Sequence, residues 1–171
     1  MATVGQKIAV QSGRSRYSTV PIGQVAYGSV GTNTTPVAGT IYWAELFIPC
    51  RMTLTGAAIL NGGTVGTDKS LLALYDTNGA LVANTALAGA TTSGADAFQQ
   101  QAFTSTVNVL PGRYWLAAQF NGTTTRFRTI ATLTNIDSLT ASATGTFGTL
   151  TALTVPTTIT ADKGPVGYVY A

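Results

Sequence analysis

Hydrophobic and polar positions alternate with a period of two along much of the chain. Met52, Leu54 and Ala58 alternate with Thr53, Thr55 and Ala57, which predicts a strand with one face in a core and the other in water. Phe103, Ser105, Val107 and Val109 alternate with Thr104, Thr106 and Asn108, and Tyr114, Leu116, Ala118 and Phe120 share one face of a strand over 113–120. Thr125, Phe127 and Thr129 alternate with Arg126, Arg128 and Ile130. Ser70 to Tyr75 is apolar on both faces, as a central strand covered on two sides would be.

Turn residues punctuate these runs. Asp76-Thr77-Asn78-Gly79 predicts a tight hairpin returning along Ala80 to Ala83, because Asn-Gly accepts positive φ. Leu110-Pro111-Gly112-Arg113 reads as a type II turn. Asn121-Gly122 turns the chain again, and Gly164 to Tyr170 reads as a last strand with Tyr168 and Tyr170 on one face. No stretch keeps a helical period beyond two turns. About eight to ten short strands at this spacing predict an all-β fold, a jelly-roll-like antiparallel β-sandwich.

Residues 1–39 have another texture, rich in Gly, Ser, Thr and Val, with Pro21 and Pro36 interrupting any period. They predict an extended N-terminal arm with one short strand around 18–27, and 40–171 the sandwich. Charge divides at nearly the same place. Lys7, Arg14 and Arg16 give the first 40 residues +3, while six bases and six acids leave the remainder neutral. A basic arm on a neutral body argues against a nucleic-acid-binding domain, which would spread Lys and Arg over a folded face.

At 171 residues the chain suits one domain and buries roughly 70% of the surface its unfolded form exposes. It contains no histidine, which removes Ser-His, Cys-His and His-metal chemistry. Cys50 is the single cysteine; after Pro49 in an apolar run it reads as a small core residue rather than a nucleophile. Met1 to Val10 lacks the pattern of an export signal, and no apolar run approaches the roughly 18 residues of a membrane span.

The six acids are widely separated, and Asp68, Asp76, Asp96, Asp137 and Asp162 sit in loop-like surroundings. That placement predicts neither a catalytic carboxylate pair nor a calcium cage, so no enzyme activity, metal or cofactor is expected. A hydrolase would depend on an acid such as Asp96. Arg126 and Arg128 are candidates to hold a carboxylate or phosphate or to pair with a neighbouring subunit, or else are solvated charges on a strand face. Trp43 and Trp115 have apolar neighbours that favour a core position, with sugar stacking as the alternative.

The runs Leu72-Ala73-Leu74-Tyr75-Asp76-Thr77-Asn78-Gly79-Ala80-Leu81-Val82-Ala83 and Leu110-Pro111-Gly112-Arg113-Tyr114-Trp115-Leu116-Ala117 resemble jelly-roll proteins encoded among tailed-bacteriophage structural genes. Thr144 to Leu150 and the region of Pro156 share in the resemblance, which covers roughly 41–171 and leaves the arm unmatched. It implies a virion structural protein of the capsid decoration (cement) type, made in the host cytoplasm. Such a protein docks on the major capsid protein at the outer capsid surface, as a homo-oligomer and foremost a homotrimer. Lys7, Arg14, Arg16, Arg126 and Arg128 are then the docking candidates, with the arm as a tie. The alternative is a tail or head-fibre module binding host-surface glycan through Trp43, Trp115, Tyr168 or Tyr170. Neither reading involves nucleic acid or membrane.

Overall fold

The alternating runs form antiparallel strands in a computed structural model that describes residues 15–20, 26–131 and 138–171. Twelve strands occur among the described residues: β1 Arg16–Ser18, β2 Thr32–Thr34, β3 Ile41–Ile48, β4 Met52–Leu60, β5 Lys69–Tyr75, β6 Leu81–Asn84, β7 Ala90–Thr91, β8 Phe98–Val109, β9 Gly112–Phe120, β10 Phe127–Thr129, β11 Thr140–Ala143 and β12 Gly167–Tyr170. They make a four-stranded sheet β1-β12-β4-β8 and a six-stranded sheet β11-β3-β9-β5-β6, in which β7 also pairs with β5. A two-stranded ladder, β10-β2, joins the sandwich at its edge through the bridges Asn61↔Phe127 and Thr129↔Pro165. The protein is an all-β antiparallel sandwich, with no α-helix among the described residues.

The main core lies between the two large sheets. Leu46, Ile48, Leu72, Leu74, Leu116 and Phe120 from the six-stranded sheet meet Leu54, Ala57, Ile59, Phe103 and Val169 from the other. A buried hydrogen bond from Gln101 Nε2 to Ser70 Oγ, 2.8 Å, crosses the same gap. The opposite face of the six-stranded sheet is covered too, with Ile41, Trp43, Ala73, Tyr75, Trp115 and Ala117 packed under Leu153. Burial on both faces explains the unbroken apolar run of β5.

The Asp76 hairpin forms as predicted. Asp76 Oδ1 accepts from the Asn78 and Ala80 amides at 2.8 and 2.9 Å, and Gly79 takes φ 81°. Asp76 is half-buried, so water replaces part of what it supplies. Asp76→Ala is expected to cost about 1 kcal/mol, read as a shift in the urea midpoint with an unchanged slope.

Three expectations change. Val109 to Gly112 is not a hairpin, because β8 and β9 belong to different sheets and Leu110-Pro111 crosses between them. Gly112 has φ 159°, extended rather than the left-handed value a type II turn needs. The Tyr114 hydroxyl closes the link instead, accepting from the Leu110 N–H at 3.2 Å and donating to its carbonyl at 2.9 Å.

In β4 the alternation changes phase. Between the pairs Leu54↔Val107 and Gly56↔Ala102, β4 advances two residues while β8 advances five. The odd excess puts Ala57 and Ile59 on the core face with Leu54, and Ala58 on the opposite face with Tyr168 and Tyr170.

The third change concerns residues 1–39. Their described part is built into the sandwich: β1 pairs with β12, β2 pairs with β10, and Val20 is buried. Thr19 fastens this segment, its N–H donating to the Gly167 carbonyl at 2.9 Å and its hydroxyl accepting from the Gly167 N–H at 3.1 Å. The strand expected over 18–27 lies at Arg16–Ser18, and 21–25 fall outside the described residues.

Candidate functional site

Strand directions separate two ends of the sandwich. At one end the β3–β4 turn, Pro49 to Arg51, lies beside the Leu110-Pro111 link, because Ile48 pairs with Gly112 and Met52 with Val109. Large apolar side chains are exposed there. Phe47 is 64% accessible and Leu110 56%, and Pro49, Cys50 and Pro111 are exposed around them. Arg51 and Arg113 are the neighbouring charges, and Arg113 is bound to Glu45, Nε to Oε1 at 2.8 Å. Turns are ordinarily polar, so large apolar side chains exposed at one end of the sandwich make that end the candidate contact surface.

Cys50 belongs to this end and is exposed, which corrects its expected core position. The pairing of β3 stops at Ile48 and that of β4 starts at Met52, leaving Cys50 in the turn between them. Its Sγ lies 3.6 Å from the Tyr17 hydroxyl.

At the opposite end, loops after β4, before β8 and after β9 gather the polar residues. Arg128 is buried and ion-paired, Nη2 to Asp96 Oδ1 at 2.6 Å, with side-chain exposures of 9% and 41%. Asp96 stands at φ 50°, in the left-handed region, and its N–H donates to the Gly62 carbonyl at 3.0 Å. Arg126 precedes β10 and is exposed, donating from Nη1 to the Asn33 carbonyl at 3.2 Å. Arg126 and Arg128 are therefore not two free cations on one strand face. Arg128 is a structural ion pair, which removes it from the docking candidates.

The acids are mostly engaged in structure. Glu45 binds Arg113 and accepts from the Leu139 N–H at 3.2 Å, Asp76 closes its hairpin, and Asp96 holds Arg128. Asp68 is buried, with Oδ2 accepting from the Thr124 and Thr125 amides at 2.6 and 2.8 Å. Burial pushes this carboxyl up, but the hydrogen bonds from Thr125 and Thr124 outweigh it and hold the pKa below 3.8. Asp162, at φ 58°, keeps one carboxylate oxygen buried without a partner. Asp137 lies outside the described residues. Among the described residues no three His, Cys, Asp or Glu side chains gather as a metal site.

The four aromatics considered for glycan stacking are not exposed. Trp43 and Trp115 are buried on the outer face of the six-stranded sheet under residues 139–155. Tyr168 and Tyr170 lie over Ala58 and Gly56, their cross-strand partners. The Arg16 guanidinium sits 4.9 Å from the Tyr168 ring centroid. Gly56 makes room for the Tyr170 side chain, since a Cβ there would stand 2.3 Å from the Tyr170 hydroxyl. Of the basic docking candidates, Lys7 and Arg14 lie outside the described residues, and Arg16 and Arg126 are exposed.

The apolar end was not singled out from sequence, although a signal exists. Phe47-Ile48-Pro49-Cys50 and Leu110-Pro111 each place a large apolar residue at a proline-marked strand end. No protein-family model matches the chain, and no curated protein matches it.

Proposed function

We propose that the protein is a non-enzymatic virion structural protein, a capsid decoration (cement) protein of jelly-roll type. It seats on the outer surface of the capsid and stabilises contacts between major capsid subunits, as a homo-oligomer with the trimer favoured. The observation that carries this reading is the exposed apolar end formed by Phe47, Pro49, Cys50, Leu110 and Pro111. The engagement of four carboxylates in turns, ion pairs and amide clamps supports stable contact over turnover, and the resemblance supplies the virion. In this reading the apolar end docks, and the basic residues Lys7 and Arg14 steer the approach to an acidic capsid surface.

Deleting 1–39 would remove β1 and β2 and confound docking with folding, so the test uses smaller changes. Capsids assembled without the protein are sedimented with wild type, with Phe47→Asp/Leu110→Asp, and with a chain lacking residues 1–14. The double variant is expected to lose at least about 30-fold in affinity, as for two residues of an interface centre, and the truncation to slow association in a salt-dependent way. Wild-type binding by the double variant overturns the docking assignment.

A further inference from the structure

Three buried polar atoms without a hydrogen-bond partner share one patch: Trp43 Nε1, Trp115 Nε1 and the Tyr75 hydroxyl. Register brings them together on the outer face of the six-stranded sheet. Trp115 pairs directly with Tyr75 on β5 and with Glu45 on β3, and Trp43, one step along, pairs with Ala117. Native structures leave few buried donors unmade, and three on one face are a concentration that apolar packing alone does not require.

What covers this face is an irregular strap, residues 144–155. Leu153 is its buried residue, packed in the patch that includes Ala73 and Ala117, with Leu150 and Val155 partly buried beside it. The strap is fastened by the Leu153 N–H donating to the Gly79 carbonyl at 2.9 Å and by two bonds to Gln119. Gln119 Nε2 donates to the Thr146 carbonyl at 3.0 Å, and Oε1 accepts from the Gly148 N–H at 3.1 Å. Between strap and sheet lies a cavity of about 260 Å³ with Trp43, Ile41 and Gln119 on the sheet side. Every residue lining it is uncharged, and the strap side carries Thr144, Thr146, Thr149, Thr151 and Thr154.

We propose that this strap-covered aromatic face binds a neutral saccharide, a function separate from docking at the apolar end. An indole N–H only donates, so the ligand must bring acceptors. The uncharged lining disfavours an ion, whose desolvation nothing there would repay. Sugar hydroxyl oxygens are the acceptors that suit Trp43, the one of the three residues that lines the cavity, while Trp115 and Tyr75 lie behind it under Leu153. The cavity, slightly below the roughly 300 Å³ at which small-molecule pockets begin, takes one sugar unit. Lifting Leu153 off Ala73 and Ala117 opens room for a second and unseals the three donors.

The experiment is calorimetric titration with neutral oligosaccharides of glucose, galactose and N-acetylglucosamine, with an uncharged peptide as the competing class. Wild type is expected to bind one of the saccharides, and Leu153→Ala to bind it about tenfold tighter, because the closed strap reduces the competent fraction. Tyr75→Phe keeps the ring and removes the hydroxyl, and Trp43→Phe removes the N–H together with part of the aromatic surface; each is expected to weaken binding about fivefold, and thermal melts verify that both remain folded. Binding of none of the saccharides by either wild type or Leu153→Ala overturns the proposal. So does binding of the peptide in their place, or affinity unchanged in both phenylalanine variants.

Discussion

Asp96→Ala is expected to lower the unfolding free energy by about 3 kcal/mol, measured by urea denaturation at neutral pH. Most of the cost comes from the partner left behind, and a smaller part from placing alanine at φ 50°. Arg128 has a side chain only 9% exposed and an Nε already without a hydrogen bond, so removing the carboxylate leaves a buried cation uncompensated. The half-exposed position of Asp96 lets water reach the vacated site, which keeps the loss at the low end of the range for broken buried pairs. Arg128→Met removes the charge with the pair and retains the packing, so it should cost about 1 kcal/mol or less. Asp96→Asn tolerates φ 50° at least as well as Asp and should fall between them. Equal losses for Asp96→Ala and Arg128→Met would show that the ion pair, rather than a stranded cation, sets the cost.

Asp68→Ala is expected to destabilise by about 2 kcal/mol, since the buried Thr125 amide and the part-buried Thr124 amide lose their acceptor together. The loop they anchor leads into β10, the strand that pairs with β2. The effect also carries a pH signature. The folded pKa of Asp68 lies below 3.8, so its contribution is fully present at neutral pH and is lost as pH falls from 3.8 through the depressed value. Asp68→Asn should therefore reduce the acid-induced loss of stability below pH 3.8, while both proteins show a flat dependence from pH 5 to 7. An acid limb identical in the two proteins would contradict this assignment.

Both acids illustrate what the linear pattern conveys and what it omits. Asp76 was legible because its partners, Asn78 and Ala80, lie within four residues and the turn needs only local geometry. Asp68 and Asp96 read as loop acids, since their partners stand 56 or 57 and 32 residues away. Arg126 and Arg128 looked equivalent for the same reason. Their fates diverge because β10 pairs with β2, and Arg128 turns toward Asp96 while Arg126 stays in solvent.

By itself the sequence determined the all-β class, the two-faced burial of β5, the Asp76 hairpin and the positions of most strands. These follow from side-chain period and turn chemistry, which act over a few residues. Tertiary structure alone decided that Val109 and Gly112 belong to different sheets, that Ala57 rather than Ala58 faces the core, and that the segment carrying Arg16 is an edge strand. It also decided that Phe47 and Leu110, 63 residues apart, are exposed at the same end. Pairing partners and register depend on which distant strand offers a complementary edge and face. That choice comes from the energy of the whole assembled sandwich, so no local window of sequence contains it.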